Sequence, residues 1–494
     1  MTVDLPIEAT SHDCSGSFSK TVLSDVKLWC PSTPNQASDW VGGLSDDGLG
    51  VKPYPVKSLP LEQSSINTLY IILRPDGSIW HDGSLYLYWL SVEQGRKTPT
   101  VENIAGDLCD FMNKLQEGGR NYLNFEGETF SRPTYYYQAQ MKKAVQRKVR
   151  GSSAGDGEKL GRRTANRKIT SMIGFYRWMV NTARFRPQQA MWICTVKHIL
   201  YYDRYGFRQT KEVFSTDLTF KQSRVIPSGE YIEDGGKLYP ISKDNQRALI
   251  GALVRLRNPE MLLIHVVALS TGMRIQSILN LRLHCIRQDV GSPNDENRNT
   301  LHPINIGGES NVGAKGSKEQ QVLMPAWLHY RLTTYLNSKR HKDRAMKSPI
   351  NTIQDEYVFL TRTGKPYYVA EEDIKLFGFS NERGSAVRKF ATKVLQELAK
   401  ECQAFKYQFH DLRATFGMNL IEDNTKKIEN GDMSQLELLD LVRRRLNHSS
   451  VDVSMRYLRF KTDHSLVADA QSEFESHLEG VIAREINRHE GIRS

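Results

Sequence analysis

Residues 405–415 read FKYQFHDLRAT, and residues 446–460 read LNHSSVDVSMRYLRF. Between them lies a leucine-patterned stretch (Leu436, Leu439, Val442, Leu446) whose spacing predicts a helix that stops at Asn447, a residue type that tolerates the left-handed backbone of a helix end. His410 and Arg413 are three apart on an expected helix and share a face. His448 follows the Asn447 stop, and Tyr457 lies nine residues further on, in a segment that Asp452 is placed to cap. Taken singly, each has a plain structural reading: a satisfied histidine, a surface arginine, a core tyrosine in MRYLRF. Together they place two imidazoles, a guanidinium and a phenol within a short span of a basic chain.

The chain has 494 residues and a formal net charge of +11. That length suggests two or three domains. Hydrophobic residues make up 39% and charged residues 25%, the balance of a soluble globular protein. No run of 18 apolar residues occurs, and the opening MTVDLPIEATSHDCSG lacks an apolar signal core, so neither a membrane span nor a signal peptide is expected. The six cysteines, Cys14, Cys30, Cys109, Cys194, Cys285 and Cys402, form no CxxC pair. They read as free thiols, with no structural zinc.

Charge is unevenly placed. From Lys142 to Arg186 there are thirteen Lys and Arg against two acidic residues, Asp156 and Glu158, a net +11. Phe175, Tyr176, Trp178 and Phe185 lie within this run. The bland reading is a solvated charge run. A nucleic-acid surface fits the density better, with Lys142, Lys143, Arg147, Lys148, Arg162, Arg163, Arg167, Lys168 and Arg177 as candidate contacts.

Residues 1–95 are irregular in composition and are read as a small β-containing N-terminal region of unknown role, with INTLYIILRPDGSIW as hairpin chemistry around Pro75-Asp76-Gly77 and the apolar run LYLYWLSV after it. A helical domain is expected over 96–205. TVENIAGDLCDFMNKLQE sets Val101, Ile104, Leu108, Phe111, Met112 and Leu115 on one face, a second helix runs from Tyr135 to Val149, and a third covers TANRKITSMIGFYRWMVNT. Residues 206–241 are polar and poorly periodic and are read as a linker. A second, mostly helical domain is expected over 242–470, followed by a tail helix over 471–494. In it, MLLIHVVALSTGMR is a buried helix halted at Ser270-Thr271-Gly272, so Arg274 opens the next helix, where an arginine and free amides suit a phosphate. LHPINIGGESNVGAKGSKEQQVLMP reads as strand, turn, strand, with Lys315 in the turn; it lacks the P-loop pattern.

The ordered set Arg274 (in TGMR), Lys315 (in GAKGSKEQ), His410 and Arg413 (in HDLR), His448 (in LNH) and Tyr457 resembles the tyrosine site-specific recombinases, the phage-integrase family. The match covers roughly residues 242–460, and 98–205 is similar to that family's helical core-binding domain. Two positions depart from the pattern: Ser277 stands where members commonly carry an acidic residue, and LNH replaces LGH. Residues 1–95 have no counterpart in it.

The resemblance implies a mainly α fold with small β-sheets, a helical core-binding domain plus a mixed α/β catalytic domain, holding DNA between them. It implies metal- and ATP-independent strand transfer with no cofactor. Arg274 and Arg413 would clamp the non-bridging oxygens of a phosphodiester. His410 and His448 would donate further hydrogen bonds, one of them being available to take the tyrosine proton. Lys315 would protonate the leaving 5′ oxygen, and Tyr457 would form a phosphotyrosine ester. The implied partners are double-stranded DNA carrying specific recombination sites, a homotetramer or heterotetramer assembled on it, and accessory proteins, in a bacterial, nucleoid-associated cytoplasmic setting. The implied work is integration or excision of a mobile element. Two alternatives stay open: a type IB topoisomerase-like enzyme, which shares the nucleophile and cradle, and a catalytically silent site-specific DNA-binding protein. A helical domain ahead of 242 and the HDLR–LNH spacing favour the recombinase.

Overall fold

In a computed structural model of the chain, the described residues are 16–31, 40–41, 54–55, 58–150, 158–202, 207–221, 231–286, 292, 300–307, 312, 319–378, 383–401 and 405–462. They divide between two units, Met1–Arg224 and Val225–Ser494. Both are mainly helical, with small two-stranded antiparallel sheets, as expected. Among the described residues no helix is long and apolar enough to cross a membrane.

The first unit begins with β1 (Ser19–Pro31), β2 (Trp40–Val41), β3 (Tyr54–Pro55) and β4 (Ser58–Leu73). β1 pairs with β4, and β2 with β3. The Pro75-Asp76-Gly77 turn forms, with the Gly77 amide donating to the Arg74 carbonyl, and it closes a short hairpin in which the Arg74 amide donates to the Ser78 carbonyl at 2.7 Å and the Trp80 amide to the Ile72 carbonyl at 2.8 Å. The pairing across it is brief, an isolated antiparallel bridge from Leu73 to Ile79. The run LYLYWLSV lies in a helix, α1 (His81–Val92). A short continuous apolar run has no period of its own, and packing decides its form. Here Trp80, 1% exposed, anchors the entry to α1, with its ring 5.3 Å from Phe175 and 5.4 Å from Tyr122.

The three expected helices follow as α2 (Thr98–Glu117), α3 (Pro133–Arg150) and α4 (Arg162–Asn181). Val101, Leu108, Phe111, Met112 and Leu115 are buried along α2, as its periodicity required. A buried carboxylate, Asp107, links α2 to α4 through Arg167 and the Ser171 hydroxyl, each at 2.8 Å. Then β5 (Cys194–Tyr202) pairs with β6 (Arg208–Thr216). The expected linker over 206–241 is therefore not uniformly irregular: β6 lies in it, as do β7 (Ile232–Glu233) and β8 (Lys237–Leu238) of the second unit. Strands of two residues carry too little sequence to show alternation.

The second unit continues with α5 (Lys243–Arg255), α6 (Pro259–Thr271) and α7 (Ile275–Leu279), then β9 (Leu301–Ile306) and its partner β10 (Gln320–Pro325). It closes with α8 (Ala326–Leu336), α9 (Lys339–Ala345), α10 (Ile374–Phe377), α11 (Ser385–Lys400), α12 (Asp411–Glu429), α13 (Gln435–Leu446) and a last helix, α14, over 451–462. Leu249, Ile264, Val267, Leu328, Val394 and Leu412 belong to its main core. α6 is halted as read: Gly272 takes the left-handed conformation (φ 66°), which a side chain would strain. α13 starts with a Ser434–Glu437 capping box and stops at Asn447, whose φ is 47°. Ser450 rather than Asp452 caps α14, its hydroxyl accepting from the Asp452 amide at 3.1 Å. The tail helix expected over 471–494 and the Lys315 turn lie outside the described residues.

Candidate active site: a cationic cradle closed by a carboxylate

α12 and α13 bring the quoted stretches together. His410 is the N-cap residue of α12, and Arg413 enters one turn later. The Arg413 guanidinium is 2% exposed and fixed on three sides: it donates to the Gly272 carbonyl at 2.6 Å, to the Leu446 carbonyl at 2.5 Å and to Asp234 Oδ2 at 3.0 Å. Two of these partners are the terminal carbonyls that the left-handed turns at Gly272 and Asn447 turn outward. The same helix ends that the sequence announces thus aim Arg413.

Tyr457 is fully buried, as the plain reading of MRYLRF had it. Its ring packs with Phe416, Leu446 and Ile232 in a second core, and its hydroxyl donates to Asp234 Oδ2 at 3.0 Å. Gly417 of α12 leaves the room it needs: a Cβ there would lie 2.6 Å from Tyr457 Cε1. His448 Nε2 is 3.1 Å from the same Oδ2, and its Nδ1 is 2.8 Å from the Ser454 hydroxyl. With an ionised carboxylate on one side, the partners assign the proton to Nε2, and Nδ1 accepts from Ser454.

Arg413, His448 and Tyr457 therefore converge on one oxygen atom. Arg274 is half-buried at the start of α7; burial lowers its pKa, as does the charge of Arg413, while Asp234 and Tyr457 act in the opposite sense. His410 is half-buried close by, its Nε2 3.9 Å from where a Gly235 Cβ would stand. Five of the six expected catalytic residues thus share one environment, and the sixth, Lys315, lies outside the described residues.

The electrostatics follow from burial and from this one carboxylate. Burial alone would raise the Asp234 pKa, but the His448 hydrogen bond and the Arg413 charge outweigh it and hold the group far below the usual carboxylate range. Burial lowers both imidazoles, with Arg413 adding to the effect and Asp234 opposing it, so both favour the neutral form. Burial, with the Asp234 charge second, pushes the Tyr457 phenol well above its ordinary value. The Tyr457 hydroxyl therefore holds its proton.

Asp234 itself was missed by sequence reasoning, which placed it in a linker. The available signal was YIEDGGKLY, an acidic residue before two glycines flanked by Ile232 and Leu238. Ser277 is buried on α7. Among the described residues no group of three His, Cys, Asp or Glu could hold a metal ion.

The basic run sorts into two kinds of residue. Lys142, Lys143, Arg162, Arg163 and Arg177 are exposed, and Arg147 is half-buried; the side chain of Lys148 lies outside the described residues. Arg167 is tied to Asp107 at 2.8 Å, and Lys168 to Glu158 at 2.9 Å and Asp110 at 3.0 Å. Three of the four interleaved aromatics are core, Phe175 and Tyr176 fully buried and Trp178 nearly so, while Phe185 is half-buried. Arg162 and Arg163 stand in the first turn of α4, which carries no acidic residue, where the helix dipole disfavours cations.

No protein-family model matches the chain, and neither does any curated protein. Solved structures align with it at low identity. Residues 82–397 of the Tn1549 transposon integrase, in complex with a circular intermediate DNA, align at 13% identity and a TM-score of 0.40, covering 76% of this chain and 94% of that one. Residues 75–356 of lambda integrase, a dimer bound to a COC′ core site, align at 11% and 0.41, covering 76% and 94%. XerA recombinase aligns at 15% and 0.28, covering 76% and 92%.

Proposed function

We propose that the chain is a tyrosine recombinase, cutting and rejoining DNA at specific sites through a 3′-phosphotyrosine intermediate. The observation that carries this reading is the convergence of Arg413, His448 and the Tyr457 hydroxyl on a single oxygen, each within 3.1 Å. Replace that carboxylate oxygen by a non-bridging oxygen of a phosphodiester, and a guanidinium and an imidazole N–H bind the anion while the phenol faces phosphorus. Phosphodiesters resist attack because their charge repels nucleophiles, and fixed cations that strengthen their hold in the transition state relieve this.

In the reaction, the Tyr457 oxygen attacks phosphorus and the bond to the 5′ oxygen breaks. Arg274 and Arg413 hold the pentacoordinate charge. The Tyr457 proton passes to a base, for which His410 and His448, both held neutral, are the candidates among the described residues. Lys315 supplies a proton to the leaving 5′ oxygen. A 5′ hydroxyl from another strand then attacks the ester and restores a phosphodiester, so no bond energy is lost and no nucleotide is consumed. On this reading the exposed cations Lys142, Lys143, Arg162, Arg163 and Arg177 lie along duplex phosphates. Strand exchange between two sites calls for four protomers on DNA, whose work is integration or excision of a mobile element, with accessory proteins setting the direction.

The experiment is incubation of the full chain with a pool of randomised duplexes, each nicked so that a short leaving strand diffuses away. A protein–DNA adduct that survives detergent is expected from the native chain and not from Tyr457→Phe. Sequencing the trapped strands gives the site. Strand exchange between two copies of that site distinguishes a recombinase from a topoisomerase, and absence of any adduct would leave a silent DNA-binding protein.

A further inference from the structure

Asp234 sits where the proposed reaction needs the scissile phosphate. Its Oδ2 takes three hydrogen bonds at 3.0–3.1 Å from the three groups assigned to the phosphate and to attack on it. Carboxylate and phosphodiester oxygens are alike in what they ask of donors, since both are anionic acceptors for charge-assisted hydrogen bonds. The two cannot occupy one position, and a second anion beside an ionised carboxylate in a buried site is repelled. A carboxylate held ionised so firmly is also a poor acceptor for the Tyr457 proton, which argues against a role as base.

The segment that carries Asp234 is built to let go at its tip while staying anchored at its base. β7 and β8 pair through two residue pairs, Ile232 with Leu238 and Glu233 with Lys237. Ile232 and Leu238 are buried in the core that also holds Tyr457. The Tyr239 amide is fixed on Asp411 Oδ1 at 2.9 Å, and the Ile241 amide on the Thr415 hydroxyl at 3.0 Å. Between the anchors come Asp234, Gly235 and Gly236, with Gly235 at φ 70°. Two successive glycines let the carboxylate rotate away without moving either anchor.

We infer that Asp234 is an internal surrogate for the scissile phosphate, occupying the anion position of the cradle and locking the Tyr457 hydroxyl until a DNA phosphate displaces it. This rests on the reading of the cradle as a phosphate site. It gives the protein an off state set by its own chain: the nucleophile stays protonated, buried and hydrogen-bonded. The competing role, a positioning residue that permanently aims Arg413 and His448, predicts the opposite response to its removal.

The test titrates the full chain and Asp234→Asn with orthovanadate, an oxyanion that can take the trigonal-bipyramidal shape of the transition state, followed by calorimetry. The expected result is binding at least about tenfold tighter in Asp234→Asn. Equal affinity would overturn the inference while leaving the phosphate site intact, and weaker affinity would make Asp234 a positioning residue. Binding by neither protein would overturn the phosphate-site reading and the inference with it. Should Asp234→Asn fail to fold, hydrogen exchange on the unaltered chain decides: amides at 231–239 should exchange faster with orthovanadate bound, and unchanged exchange would overturn the inference.

Discussion

The Tyr457 hydroxyl donates to Asp234 Oδ2 at 3.0 Å, across 223 positions of sequence. One end of that bond is the proposed nucleophile and the other lies in a two-glycine turn at the start of the second unit. On the proposed reading, whether this contact is made reports the state of the active site.

Gly417→Ala tests how tightly the Tyr457 ring is seated. On an exposed helix surface this change would stabilise by about 1 kcal/mol through propensity. Here the added methyl would meet the ring at 2.6–2.8 Å, so net destabilisation of about 1–3 kcal/mol is expected from overpacking. DNA binding should be kept and adduct formation lost, since the ring must move. Thermal melting and the adduct assay measure the two effects, and a stabilised, active variant would show that the ring has slack.

Arg413→Ala removes the cation that faces buried Asp234. Leaving that carboxylate with its other partners alone should cost about 3–5 kcal/mol of stability, and cleavage should slow by about a hundredfold or more. Adding Asp234→Asn removes the stranded charge, so the double variant should recover part of the stability and none of the activity. Chemical denaturation of the four proteins in the cycle gives the coupling; additive losses would show that the two residues do not act as a pair.

The pairing also marks the limit of what the sequence discloses. HDLR, LNH and Tyr457 were legible because helix ends leave signatures: Gly272 and Asn447 punctuate periodic runs, and the residues beside them follow. The surroundings of Tyr457 were not legible, because Asp234 and the gap at Gly417 are brought to it only by the folded chain. The aromatic residues of the basic run counted toward a nucleic-acid surface, yet Phe175 and Tyr176 pack inward while Arg162, Arg163 and Arg177 on the same helix are exposed. LYLYWLSV carries no period to distinguish helix from strand, and Trp80 packing settles it.

His265 should make the second unit acid-sensitive. It is fully buried on α6, with Nδ1 bonded to the Met261 carbonyl at 2.7 Å and Nε2 3.3 Å from the Tyr407 hydroxyl, and burial lowers its pKa to about 4 against the opposing pull of that carbonyl. A histidine with a depressed folded-state pKa binds its proton more readily unfolded. Its contribution is therefore complete above about pH 6.5, falls as the pH drops through 6 and 5, and is lost by about pH 4, a change on the order of 3 kcal/mol. Denaturation of the native chain and His265→Gln across this window should show a gap that closes with acid. A constant gap would mean that His265 does not titrate on unfolding.

The basic run of α3 should set the salt dependence of DNA binding. Neutralising Lys142, Lys143, Arg147 and Lys148 together should flatten the log–log salt slope by roughly 0.9 for each lost phosphate contact and weaken all duplexes alike. Arg167→Gln should instead act mainly on stability, because its partner is the buried Asp107. Titrations of one duplex at several salt concentrations check both; an unchanged slope in the fourfold variant would return that stretch to a solvated charge run.

The central claim is that Tyr457 is the nucleophile. The direct measurement is to digest the adduct trapped on a nicked duplex with protease and nuclease and locate the nucleotide-bearing residue by mass spectrometry. The mass of a 3′-linked nucleotide on the phenol of Tyr457 is the expected result. A nucleotide on any other side chain, or an adduct formed equally by Tyr457→Phe, would contradict it.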